Sequence, residues 1–167
     1  MSAEVIAAVG LGSNLDGPAA QVASGLRALT ELPETRLLRQ SALYATPPMG
    51  PADQPDYINA VALIATHLPP LVLLDALQAI EHAHHRVRER HWGPRTLDLD
   101  ILCYDGLVLA HPRLVLPHPG IAERAFVVIP LLDIAPELRL PGLPTLASLA
   151  GALAAHPIRR IEGGSPE

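Results

Sequence analysis

The chain has 167 residues, enough for one domain with a sizeable core and too few for two comfortable ones. About half the residues are hydrophobic, which excludes a disordered chain. The net charge of −5 argues against nonspecific binding to nucleic acid or to an anionic membrane, since both want a basic surface.

Val5 to Leu11 reads as a buried strand, closed by Gly10 and Gly12. Pro18 then stands where a first helical turn tolerates it, and Val22, Leu26 and Leu29 mark an amphipathic helix to about Leu32. Leu37 to Tyr44 reads as a second strand. The segment from Thr46 to Pro55 holds four prolines and a glycine, so it is a loop of functional length. Tyr57 to Thr66 is a third strand. Pro69 and Pro70 open a second helix with Leu73, Leu77, Ile80 and His84 on one face.

A polar, arginine-rich stretch follows from Arg86 to Arg95. Thr96 to Tyr104 reads as a fourth strand, and Asp105-Gly106 as a hairpin turn into Leu107-Val108-Leu109. Pro117-His118-Pro119 is irregular. Glu123 to Asp133 reads as a helix that Pro130 breaks or kinks, and a short helix is expected near Thr145 to Ala155. The order is the split β-α-β pattern of ferredoxin-like α+β domains, a mainly antiparallel sheet with helices packed on it. Residues 1–160 are expected to form a single domain and 161–167 a flexible tail.

The lone cysteine, Cys103, permits no internal disulfide, and the first residues carry no signal-peptide pattern. No apolar run approaches the roughly 18 residues of a membrane span. The expectation is a cytoplasmic monomer with no membrane or nucleic-acid partner.

The most informative segment is Arg95-Thr96-Leu97-Asp98-Leu99-Asp100-Ile101-Leu102. Strand side chains alternate, so Leu97, Leu99 and Ile101 point to the core while Asp98 and Asp100 share the other face, their Cα atoms roughly 6.5–7 Å apart. By the same parity Cys103 falls on the core side. Two carboxylates so placed suit a hard cation such as Mg²⁺, which takes one or two carboxylates plus substrate phosphates. Asp-x-Asp alone is more often a solvated strand face. The four arginines Arg86, Arg88, Arg90 and Arg95 tip the balance, because guanidinium groups bind phosphates bidentately. Carboxylate, metal and arginine together are the kit of phosphoryl transfer. No Walker motif occurs, and Gly10-Leu11-Gly12-Ser13-Asn14 is weak as a phosphate loop, such glycines more often permitting a tight turn.

These residues resemble a known family. Arg90-His91-Trp92-Gly93-Pro94-Arg95-Thr96-Leu97-Asp98-Leu99-Asp100-Ile101 is similar to the signature of 6-hydroxymethyl-7,8-dihydropterin pyrophosphokinases. Gly12-Ser13-Asn14-Leu15, Tyr44-x-Thr46-Pro47-Pro48, Gln54-Pro55-Asp56-Tyr57-x-Asn59 and Pro117-His118 match in family order, from about Val5 to Leu138. The resemblance implies a ferredoxin-like fold with three mobile loops, ATP as co-substrate and two Mg²⁺ ions. It implies attack of the substrate hydroxymethyl oxygen on the β-phosphorus, with AMP leaving.

By the same resemblance Asp98 and Asp100 hold magnesium, and Asp100 helps orient or deprotonate the hydroxyl. Arg86 and Arg95 join the catalytic set. Tyr57 and Phe126 sandwich the pterin, Asn59 reads its edge, and backbone groups of Thr46, Pro47 and Met49 complete the pocket, with Trp92 between the two ligands. Gln78, Glu81, Arg88, Trp92, Arg95, Ile101, Arg113, His118 and Arg124 take the nucleotide. His91, Glu89, Met49 and Pro119 depart from the family pattern and bear on loop closure and ATP affinity.

Three alternatives stay in view. A metal-dependent phosphohydrolase would use the same aspartates but give Tyr57, Asn59 and Phe126 no common purpose. A silent pterin- or nucleotide-binding module would be expected to lose an aspartate or an arginine. His82, His84 and His85 could suggest zinc, but a solvated helix end is the commoner fate of such a cluster.

Overall fold

The computed structural model describes residues 3–14, 17–47, 56–85 and 97–161. Strand β1 (Val5–Ser13) leads into helix α1 (Pro18–Leu29), then β2 (Thr35–Gln40), β3 (Tyr44–Thr46) and β4 (Tyr57–Thr66). Helix α2 (Pro70–His85) precedes β5 (Asp98–Tyr104), the short strands β6 (Leu109–His111) and β7 (Leu114–Leu116), and a 3-10 turn at Ile121–Glu123. Helices α3 (Ala125–Ile134) and α4 (Leu146–Ala152) and strand β8 (Arg159–Arg160) follow.

The main sheet runs β5-β1-β4-β3-β8, with β2 beside β3 on the same edge of β4 and every pairing antiparallel. β4 inserts between β1 and the strands that follow α1, which is the ferredoxin-like split expected from the element order.

Alternation along the strands feeds two cores. Ala7, Val9 and Leu11 of β1 face Val22, Leu26 and Leu29 of α1 and Leu73 and Leu77 of α2. Ala8, Val61 and Leu63 face Val127, Val128 and Leu131 of α3, with Leu146 and Leu149 of α4 behind them. With both faces covered, β4 is buried from Ile58 to Thr66.

Several expectations need correction. Leu37 to Tyr44 is two strands. From Gln40 to Tyr44 the chain advances four residues while its partner moves three, from Ala62 to Asn59. At the break the Ser41 hydroxyl accepts the Val61 N–H at 2.9 Å, a bond a strand carbonyl would otherwise take. Asp105 does turn, at φ 54°, but no hairpin onto β5 follows, because Leu109 pairs with Leu116 of β7. Pro130 does not end α3. It deprives the Phe126 carbonyl of a helical donor, yet the turns on either side are held by buried Val127, Val128, Leu131 and Ile134. α1 ends at Leu29, short of Leu32.

Cys103 lies in the α3–α4 core, opposite Leu99 and Ile101. Ala8 pairs with Cys103 and Val9 with Ile101, so Leu102 is an extra residue and the bulge reverses the parity after it. Buried there, the thiol is pushed up to about 11. His84 is half-buried, tied to Ser24 of α1 at 2.9 Å and to the Ile80 carbonyl at 2.8 Å, so it braces two helices. Among the described residues no cluster of three or more His, Cys, Asp or Glu could hold a metal. No described helix is long and apolar enough to cross a membrane.

Candidate active site

On the α3–α4 face, neither helix covers the end of the sheet near the start of β5. The uncovered part is a cavity of about 670 Å³, within the range of small-molecule sites. Its floor is set by register. Gly12 lies between Asp98 of β5 and Asn59 of β4, and Gly10 between Asp100 and Val61. Even-numbered residues of β1 and odd-numbered residues of β4 share this face, so the two glycines leave a trough without side chains between carboxylates and amide. The expected turn role of Gly10 and Gly12 is therefore wrong: β1 continues through both to Ser13.

Asp98 and Asp100 open into the cavity on one side and are half-buried. Tyr57, Asn59, Thr46 and Pro47 line the opposite side, and Phe126 and Arg124 border it from the start of α3. The Arg124 guanidinium stands 5.8 Å from the centre of the Phe126 ring, within cation–π range. Tyr44, on the same face of β3, anchors α3 by donating to Asp133 at 3.2 Å. Burial and that carboxylate push its phenol up.

The remaining expected residues lie elsewhere. Glu81 of α2 accepts the Leu99 N–H at 2.7 Å, so it grips the edge strand β5 from outside. Arg113, in the β6–β7 turn, donates to Asp75 at 2.6 Å and Gln78 at 3.2 Å. The Ile101 side chain is buried in the α1–α2 core, which leaves only its main chain to meet a ligand. His118 is tethered to β5 through its N–H, which reaches the Leu102 carbonyl at 2.9 Å. Its Nδ1 accepts the Gly120 N–H at 3.0 Å, so the neutral ring carries its proton on Nε2. Burial holds the imidazole below its ordinary value; the Asp100 carboxylate opposes that and the Arg124 cation adds to it.

Met49, Arg86, Arg88, Arg90, Trp92 and Arg95 lie outside the described residues, as do Glu89, His91 and the tail from residue 162. Sequence reasoning missed Gly10 and Gly12 as the floor, Leu102 beside them, and His156 and Pro157, which close the rim ahead of β8. A glycine pair at alternate positions of a strand was the available signal for the floor.

An antiparallel ferredoxin-like sheet with an acidic pair and a stacking end opening into one small-molecule cavity defines an α+β enzyme of the phosphotransfer kind. The profile described as 7,8-dihydro-6-hydroxymethylpterin-pyrophosphokinase matches residues 8–136. The chain is 52% identical to the 2-amino-4-hydroxy-6-hydroxymethyldihydropteridine pyrophosphokinase of Pseudomonas aeruginosa, over 93% of this chain and 96% of the relative. It is 45% identical to the enzyme of the same name from Haemophilus influenzae, over 94% and 98%. Among solved structures, Plasmodium falciparum HPPK-DHPS superposes with a TM-score of 0.72 at 16% identity, over 91% of this chain and 46% of that one, a likeness of fold. The chain belongs to the 6-hydroxymethyl-7,8-dihydropterin pyrophosphokinase family.

Proposed function

We infer that this cavity and the neighbouring β5 edge carry out the family reaction. The β,γ-diphosphate of ATP passes to the hydroxymethyl group of 6-hydroxymethyl-7,8-dihydropterin, giving AMP and the pterin diphosphate, a step of folate biosynthesis. The observation that carries this reading is the single cavity joining Asp98 and Asp100 to Tyr57, Asn59 and Phe126 across the glycine floor.

The donor set fits magnesium: two carboxylates side by side on one strand face, both opening to the cavity, with substrate phosphates left to complete the coordination. Asp98 and Asp100 would hold the two ions that accompany ATP. When bound, they neutralise triphosphate charge and polarise the β-phosphate. The chain's own groups do the rest. Tyr57 and Phe126 stack the pterin, and Asn59 fixes its edge with an amide that both donates and accepts. Thr46, Pro47 and Met49 complete that pocket. Asp100 orients the hydroxyl and takes its proton as the O–Pβ bond forms and the Pα–O–Pβ bridge breaks toward AMP. His118, holding its proton on Nε2, donates to a phosphate oxygen. Arg86, Arg88, Trp92, Arg95, Arg113 and Arg124 hold the nucleotide, with Gln78, Glu81 and the main chain of Ile101 on its far side.

The two cores share one sheet, which supports one folding unit over residues 1–160. The single buried thiol supports a cytoplasmic setting.

Phosphorus NMR with Mg-ATP, with and without the pterin, tests the reaction. AMP and a pterin diphosphate should appear only with the pterin. ADP or free phosphate regardless of pterin would mean a phosphohydrolase, and binding without turnover a silent module.

A further inference from the structure

We propose that Gly12 and the Thr46 hydroxyl are positioning residues that hold the Asn59 amide in the orientation its substrate contact needs. The inference rests on the reading of Asn59 as the group that recognises the pterin edge.

Asn59 is 7% exposed and borders the cavity. Its Nδ2 points at the Leu11 carbonyl at 3.5 Å, and its Oδ1 receives the Thr46 hydroxyl at 3.4 Å. A carbonyl can only accept, so the nitrogen end must face β1 and the oxygen end must face Thr46. The Leu11 carbonyl chooses the orientation, and the Thr46 hydroxyl, able to donate or accept, then holds the oxygen end in place; both contacts are long, so neither uses up the amide's hydrogen-bonding capacity. One N–H and one oxygen lone pair remain for a ligand.

The nitrogen end fits only because residue 12 has no side chain. A Cβ at Gly12 would stand 2.7 Å from Asn59 Nδ2, closer than atoms in contact allow. Nδ2 must shift to make room, and its contact with Leu11 is already at 3.5 Å, so the shift disturbs the contact that fixes the nitrogen end. Gly10, on the same face of β1, differs. A Cβ there would meet Leu102 at 3.4 Å, an ordinary contact. The requirement for glycine at position 12 therefore comes from the amide beside it, where backbone and side chain approach closely. Thr46 sits on the neighbouring strand with the same facing as Asn59, two residue pairs removed in register, so β3 supplies the second half of the clamp.

The test is a double-mutant cycle on ligand affinity, because coupling separates an effect routed through Asn59 from a general disturbance. Dissociation constants for the pterin, in the presence of a non-hydrolysable ATP analogue, and for the analogue itself are measured for G12A, T46V and N59A. The double variants G12A/N59A and T46V/N59A complete the cycle. T46V keeps the shape of the side chain and replaces its hydroxyl by a methyl group, so it carries the test if G12A folds poorly.

G12A should weaken the pterin roughly tenfold and T46V roughly three- to tenfold, the scale of one misdirected polar contact. The analogue should bind within about twofold of wild type. Neither change should weaken the pterin further once Asn59 is alanine. Equal losses with and without Asn59 would overturn the inference, since the substitutions would then act on the cavity floor itself. Wild-type pterin binding by both G12A and T46V would overturn it too. Normal pterin binding by N59A would remove the recognition role beneath it, an outcome separate from those two.

Discussion

The sheet-face cavity and the β5 edge are built on different principles. In the cavity, strand register alone delivers Asp98, Asp100, Asn59 and Tyr57 to one surface, and the glycines between them keep it open. At the edge, the groups come from α2, from the β6–β7 turn and from the segment after β7, and each already has a partner within the fold. Arg113 is paired with Asp75 and Gln78, and Glu81 with the Leu99 N–H. A flat, largely uncharged ring needs a surface of fixed shape, which a strand face provides. A polyanion needs charge, and charge that has water and carboxylates for company costs little to rearrange. The family reaction needs both, and Asp100 stands where the two regions meet: it opens into the cavity, and its charge acts on His118 at the edge.

The largest expected effect tests that meeting point. Asp100→Ala should lower turnover by at least roughly 10³-fold, since it removes a charge needed only where phosphoryl charge develops. AMP release reads the rate and thermal unfolding checks the fold. Near-normal turnover would dissolve the link between the two regions. Next, Tyr57→Ala should weaken the pterin by roughly 10- to 100-fold, the scale of one lost stacking partner, with ATP within about twofold. Calorimetric titration of each ligand reads both, and equal losses would erase the distinction between cavity and edge.

The cavity was legible in the sequence to the extent that it depends on period two. Leu97-Asp98-Leu99-Asp100 and Tyr57-x-Asn59 fix their faces locally, so their placement needed no knowledge of neighbours. Cys103 escaped because the bulge at Leu102 arises from how β5 meets β1, which nothing within β5 dictates. Gly10 and Gly12 were visible as residues, but what Gly12 leaves space for is Asn59, some fifty residues away in sequence, and what Gly10 faces is Leu102 on another strand. The break at Ser41 depends on a hydroxyl reaching Val61, again a partner on another strand. β8, two residues long, carries no periodic signal at all. The edge was legible only in part. Gln78 and Glu81, three apart, do share a helix flank, yet one meets Arg113 and the other a backbone N–H of β5.

Glu81 sharpens the comparison on the side of stability. Its carboxylate holds the N–H of Leu99, one residue from each aspartate, so it should matter to the fold as well as to the nucleotide. Glu81→Ala should cost about 1–3 kcal/mol in urea unfolding, because a charged acceptor is lost from a half-buried donor. Glu81→Gln keeps an acceptor and should recover most of it. A Gln variant as unstable as the Ala variant would mean that the charge, rather than the tether, supports β5.

The smallest effect is expected at Arg113, and its size is the point. The guanidinium already has two partners on α2, both reached through exposed atoms. Phosphate offers a better partner, so binding exchanges one pairing for another and yields only the difference. Arg113→Ala should therefore weaken ATP by roughly three- to tenfold and leave the pterin unchanged. The loss should shrink as salt rises from about 0.05 to 0.5 M, because screening acts on exposed charge. Asp75→Asn should do the reverse and tighten ATP slightly, since it releases Arg113 from its competing carboxylate. Should Asp75→Asn weaken ATP instead, the ion pair must be aiming Arg113 at the nucleotide, and the edge would be as pre-formed as the cavity.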